Sequence, residues 1–413
     1  MWRGFSDGRW VSEQRIRAVA LISGAMSLCA CLYLIATAHG TLDRWGRPLG
    51  TDFAGVYAAG RMALAGDGAR AWSWGPQYAV QQAVHGSSDV PFVSWHYPPP
   101  FLLLAAALAW LPYLWALFIY QGATLSAALV LVRRIVPRRQ VLLLALAAPI
   151  TFICLGHGQN GFLTATLLGG GLLLLDRRPI LAGLLLGCLV YKPQFAPLVP
   201  PLLVVGGHWR ALAAAAASAG LLVALTLMLW GWPVWAAFLH SLPLTREVVI
   251  ESGIPGWGKI HSIFAMVRMW GGGIALGYSV QAVASLAAIA SALWLTRRAS
   301  PPLRNGAACA AALLSTPYVL DYDFVLLAVG LAFIVRDAIG RGFLSWEKSL
   351  LAFVWIAPLF SRQLATLALL PVGQASALIV LGLAVRRAVI LDQAAELGLR
   401  TSPFRHLRAA SAR

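Results

Sequence analysis

Apolar runs of membrane-spanning length recur from one end of this chain to the other, and no other feature constrains its fold as much. A helix rising 1.5 Å per residue needs about 20 residues to cross a hydrocarbon core of roughly 30 Å. Val19–Ala38, Tyr113–Val132, Ala211–Trp230, Ile274–Leu295 and Leu364–Val385 all have about that length. Only 11% of the 413 residues are charged and 59% are hydrophobic, too little charged surface for a soluble domain of this size. The chain therefore reads as an all-α polytopic membrane protein.

A formal charge of +17 would suit a nucleic-acid binder, but its distribution is a topology signal instead. With the N-terminus inside, residues 1–17, 133–139, 176–178, 208–210, 297–304, 336–348 and 386–413 become cytoplasmic. Those segments hold 23 of the 32 Lys and Arg but only 7 of the 15 Asp and Glu, so no nucleic-acid partner is implied. The pattern predicts about twelve crossings with both ends inside, a large first extracytoplasmic loop over about 39–97 and a basic tail over about 386–413. The first apolar run ends in a signal-peptidase-like Ala36-Thr37-Ala38, yet it exceeds a signal h-region, so a retained first helix is expected. Phe101–Leu111, Ile260–Trp270 and the two halves of 180–206 on either side of Lys192-Pro193 are too short to span. Such pieces survive in a membrane where they line a cavity or rest on protein. No internal repeat or linker divides 1–413, which reads as one domain. Cys29, Cys31, Cys154, Cys188 and Cys309 lie in apolar segments without a CxxC pair and read as reduced packing residues.

Polar side chains gather on the extracytoplasmic face. In "LGTDFAGVYAAGRMALAG" (Leu49–Gly66), Asp52 precedes Phe53–Ala65, which with Pro76–Val84 forms two expected surface helices. Asp52 is either an N-cap for free N–H groups or a general base facing a polar pocket. "WHYPPPF" (Trp95–Phe101) sets His96 and Tyr97 ahead of three prolines that start a helix. Trp95 and Tyr97 suit an interfacial belt, while His96 suits either that setting or a ligand contact. In "GHGQNG", His157, Gln159 and Asn160 either satisfy helix ends or hydrogen-bond a hydroxyl-rich ligand. Lys192 interrupts an apolar stretch where the helix breaks at Pro193, which favours an anion contact over snorkelling. Lys259 and His261 open another short helix and join the same anion site, with Arg246 a weaker member. Asp321 and Asp323 bind a cation, hold an arginine or cap the next span; two carboxylates do not make a metal site. No Gly-rich phosphate loop, HExxH, GxSxG or Cys/His spacing is present, and no cofactor is indicated. A lipid-borne activated substrate would fit a membrane-embedded cavity.

The series "TDFAGVYAAGRMALAG", "YPPPFLLLAAALAWLP", "GQNGFLTATLL", "LAGLLLGCLVYKPQ", "HWRAL" and "STPYVLDYDFVLL" resembles, in order and spacing, the family-87 glycosyltransferases, relatives of polyprenol-phosphate-mannose-dependent mannosyltransferases. The likeness runs from about Gly50 to Phe324. It implies a GT-C-type bundle with short re-entrant or interfacial helices and a catalytic aspartate in the first extracytoplasmic loop, a position matched by Asp52. It also implies a sugar, mannose or similar, carried on a polyprenyl monophosphate and transferred with inversion to a glycolipid or glycan acceptor at a bacterial inner membrane. Lys192 takes the family's lysine-proline position and Gln159-Asn160 its Gln-Asn turn. The loop before Ile260 departs from the pattern, reading "GKIHS" where relatives often carry an Asn-Gln-Ser-like turn. On this reading Lys192, His96, Lys259 and His261 receive the donor phosphate. Tyr57, Arg61, Tyr97, His157, Gln159, Asn160, Asp321 and Asp323 contact sugar or acceptor. A transporter or flippase of envelope lipids is the alternative, although such folds usually show repeated halves with central sites. A membrane acyl- or phosphotransferase would need a nucleophile constellation that is missing.

Overall fold

The computed structural model describes residues 2–195 and 197–396, so residues 397–413 of the expected basic tail lie outside the described residues. The described residues are helical, without a strand; three isolated bridges join His39 to Leu42, Leu42 to Pro48 and Ile260 to Leu320. Five helices are long and apolar enough to cross a membrane: Glu13–Ala36, Tyr113–Ile135, Trp209–Glu251, Ile274–Arg298 and Val372–Gln393. Two bent pairs, Gln140–Leu146 with Pro149–His157 and Glu347–Ile356 with Pro358–Ala368, raise the number to seven if each crosses once. The charge pattern suggested about twelve; Pro99–Ala109, Gly161–Leu174 and Pro179–Tyr191 are apolar but short.

Local chemistry explains where these elements start and stop. Prolines occupy the first turn of the helices at Pro99, Pro149, Pro179, Pro301 and Pro358, where a missing N–H costs nothing. Arg133 and Arg134 close the 113–135 helix, and Arg297 and Arg298 close the 274–298 helix, complementing the carbonyl ends. The run Leu364–Val385 is not one helix. Pro358–Ala368 stops at Leu369, and Val372 restarts after Pro371, which disfavours helical backbone at Leu370. The longest helix, Trp209–Thr245, is broken at Gly231, whose φ of 71° and ψ of −173° only glycine adopts readily. That break turns the 232–245 part away from the preceding span.

Small residues let the bundle close. A side chain at Gly183 or Gly187 would strike the backbone of Ala211 or Ala215, the pattern of helices packed through small residues. The Ala-rich helix Pro301–Leu314 is buried from Leu303 onward between the 274–298, 325–341 and 372–396 helices. The 53–64 helix, expected at the surface, is likewise buried against Pro99–Ala109, with only Arg61 and Leu64 exposed. Its Ala and Gly faces fit into the bundle on nearly every side, so the residue ahead of it, Asp52, is carried inward.

Candidate active site

Asp52 is not a helix cap. Its backbone is already helical (φ −74°, ψ −17°) and its side chain makes no bond to the following turn. Its N–H donates instead to the carbonyl of His157 at 3.1 Å, an end group of the 149–157 helix that would otherwise lack a partner. Gly158 makes the approach feasible: its φ of +61° ends that helix, and a Cβ there would lie 2.7 Å from Phe53.

The two carboxylate oxygens are treated differently. Oδ2 accepts from Lys259 Nζ at 3.1 Å and from Gln159 Nε2 at 3.1 Å. The Gln159 amide can only point this way, because its Oε1 accepts the Asn160 backbone N–H at 3.2 Å and the Tyr97 hydroxyl at 2.9 Å. Gln121 Nε2 holds the Gln159 carbonyl at 3.0 Å. Oδ1 has only long neighbours, Thr51 Oγ1 at 3.4 Å and His157 Nδ1 at 3.7 Å. Burial would raise the carboxyl's pKa, but the Lys259 ammonium pulls it down most strongly, with the Gln159 amide, and Asp52 lies below the ordinary carboxylate value.

Two further acid–base pairs flank this group. Lys192 and Asp323 are both buried and ion-paired with each other, and Asp323 Oδ2 also accepts the Leu320 N–H at 3.1 Å. Asp321 pairs with Arg362, whose guanidinium also donates to His157 Nε2 at 3.2 Å. A backbone ladder draws the two acids and Lys259 together: His261 N–H bonds Val319 O at 2.9 Å, and Asp321 N–H bonds Lys259 O at 3.0 Å. Both ammoniums come within cation–π reach of the Tyr322 ring, Lys192 Nζ at 5.5 Å and Lys259 Nζ at 5.9 Å from its centroid.

A cavity of about 560 Å³ opens beside the cluster, between the 96–98 segment, the helix break at 191–194 and the 238–250 stretch. Tyr97, Tyr191, Lys192, Thr245, Arg246 and Tyr318 contribute its polar lining. Tyr97 reaches Asp52 through Gln159, and Tyr318 lies within the field of the Asp52 charge. A separate apolar cleft between the 113–135, 325–341 and 347–356 helices meets the cluster at Phe162 and Phe324.

The structure thus brings Asp52, Tyr97, His157, Gln159, Lys192, Lys259, Asp321 and Asp323 into one cluster. Two of the expected phosphate contacts, His96 and His261, sit in settings that oppose a charged ring. His96 lines the cavity, but burial pushes its pKa down to about 4, and its ring nitrogens meet Ser94 Oγ at 2.6 Å and Thr245 Oγ1 at 2.9 Å. His261 is buried against Phe324 and the 372–396 helix, and its pKa is also pushed down to about 4. In both rings burial disfavours the charged form that a phosphate contact would draw on. Tyr57 points into an aromatic cluster with Phe53 and Tyr113 and donates to Leu111 O at 2.7 Å, while Arg61 is exposed beside it. Asn160 contributes its backbone to the Gln159 lock, and its own buried amide atoms have no partner among the described residues. Lys192 and Asp323, assigned separately from sequence, are each other's counterions. Sequence reasoning missed Arg362, although "SRQ" was an isolated polar triplet between apolar stretches, and it missed Tyr318 and Tyr322. Among the described residues no group of three or more His, Cys, Asp or Glu is placed to hold a metal ion.

No curated protein and no solved structure matches the chain. A family model does, over residues 95–320, a stretch that includes the Tyr97, Gln159, Lys192 and Lys259 contributions to the cluster and stops just short of Asp321. Asp52 and Arg362 fall outside it. More than half of the sequence follows that model, and the chain belongs to glycosyltransferase family 87.

Proposed function

We propose that this glycosyltransferase moves a sugar, mannose or similar, from a polyprenyl monophosphate to a glycolipid or glycan acceptor on the extracytoplasmic side of a bacterial inner membrane, with inversion at the anomeric carbon. The observation that carries this reading is the asymmetric environment of Asp52. One oxygen is tied to Lys259 and Gln159 while the other has only long contacts, and Gln159 links the carboxylate to Tyr97 at the wall of a cavity that the buried Lys192 also lines. The acceptor hydroxyl attacks the anomeric carbon and passes its proton to Oδ1, while the sugar–phosphate bond breaks and its electrons leave with the phosphate. A glycosidic oxygen needs a second carboxyl to protonate it, but a phosphate departs as a stable anion and leaves one base sufficient.

Positive charge then matters more than a proton donor. Lys192 and Lys259 both come within reach of the Tyr322 ring, and both are engaged by carboxylates before substrate arrives. On this reading a donor phosphate competes with Asp323 for Lys192 and stabilises the transition state as its charge develops. The apolar cleft ending at Phe162 and Phe324 suits a long hydrocarbon chain, which supports a lipid-borne substrate. The test is radiolabelled transfer from a polyprenyl-phosphate sugar by purified protein. Asp52→Asn, which keeps shape and loses basicity, is expected to lower kcat by roughly 10²–10⁴-fold with donor binding retained. Near-wild-type transfer by folded Asp52→Asn protein would remove Asp52 as the base.

A further inference from the structure

The hydrogen bonds around His157 run in one direction only. Arg362 carries five N–H donors and no acceptor, so at 3.2 Å His157 Nε2 must be the accepting nitrogen. The imidazole is then neutral with its proton on Nδ1. That nitrogen faces Thr51 Oγ1 at 2.9 Å, and the Thr51 hydroxyl, accepting there, has its own proton free for Asp52 Oδ1 at 3.4 Å. Every link, from Arg362 through His157 and Thr51, donates toward the carboxylate. Asp321 fixes the start of the chain by pairing with Arg362, and its own Oδ1 is held by the Tyr322 N–H at 2.9 Å.

From this we infer that His157 and Arg362 are positioning residues for the transfer reaction: Arg362 locks His157 as the Nδ1–H tautomer, and the locked ring, through Thr51, keeps Asp52 Oδ1 turned toward the acceptor as the proton-accepting atom. The inference rests on Asp52 being the base. Without Arg362 the ring could carry its proton on Nε2 toward Asp321. Nδ1 would then become an acceptor and draw the Thr51 hydroxyl away from Asp52. With the lock in place, His157 cannot take over the transferred proton, because Nδ1 is already protonated and Nε2 is occupied by Arg362. The proton stays on Asp52 until product leaves.

Two measurements test this. Nitrogen-15 NMR of histidine-labelled protein, with His157 assigned by its loss in His157→Asn, should show a neutral Nδ1–H imidazole, and Arg362→Met should change that signature. A neutral Nε2–H ring, or an imidazolium, in the wild-type protein at neutral pH would overturn the inference without using activity at all. In the transfer assay, Arg362→Met and His157→Asn should lower kcat by about 10²-fold with a smaller change in donor KM. Arg362→Lys, which still donates to Nε2, should recover most of the loss. Equal kcat in Arg362→Met and wild type would also overturn it. If Asp52→Asn stays active while His157 shows the Nδ1–H signature, the base assignment fails and the tautomer lock survives.

Discussion

At the residue scale, Asp52 shows how a carboxylate remains ionised in a half-buried site, as the proposed role of base requires. Burial alone would favour the neutral acid, and Lys259 is the strongest influence against it. The sign of the pH effect follows. On the proposed mechanism activity needs the ionised form, so in the wild type the acid limb of kcat/KM should lie below the ordinary carboxylate range. In Lys259→Met burial wins, the carboxyl rises, and the limb should move up by about 1–3 pH units, read from the pH profile of transfer. An unmoved limb would mean that Lys259 does not set the Asp52 charge. Sequence left cap and base open at this position; the side chain makes no capping bond and meets partners at 157, 159 and 259 instead, too distant in the chain to be read from sequence. Lys192 was legible as a costly intramembrane charge, but its neutralisation by Asp323 was not, since the two are 131 positions apart. Arg362 was visible only as a charge in an apolar context, and its meaning comes entirely from Asp321 and His157.

At the element scale, breaks matter as much as helices. The Lys192-Pro193 interruption was readable from proline chemistry, and the structure resolves it into short helical turns on either side of the cavity wall. Gly231 is the less obvious break. The helix after it supplies Phe238, Leu242 and Thr245 to the cavity, so its direction sets the shape of that wall. Gly231→Ala should cost about 1–3 kcal/mol of stability through forced positive φ. A lowered Tm in detergent and a raised donor KM are the expected readings; an unchanged KM would show that the wall does not depend on this turn. The 53–64 helix illustrates a misreading with a physical cause. A segment polar in context was assigned to the surface, yet its Ala- and Gly-rich faces are small all round, the composition of a helix enclosed by neighbours.

At the scale of the whole molecule, composition was enough for the membrane-protein class and the charge pattern carries only an expectation of sidedness, whereas the number of crossings was not legible. Eleven- to fourteen-residue apolar helices such as 99–109 and 161–174 look alike in sequence whether they traverse or merely enter a bilayer. Sidedness itself is open to measurement. With the five native cysteines replaced, Asp89→Cys in the first loop should react with an impermeant maleimide on intact spheroplasts. Arg138→Cys, in a basic turn, should react only after lysis. The reverse pattern would put the Asp52 cluster on the wrong face for a lipid-phosphate donor delivered outside. The cluster also joins residues 107, 205 and 207 positions apart in the chain. During synthesis the N-terminal carboxylate therefore waits for most of the polypeptide to emerge before its counter-charge exists. On the proposed mechanism, a chain stalled before Lys259 would carry the carboxylate without the ammonium that holds it ionised.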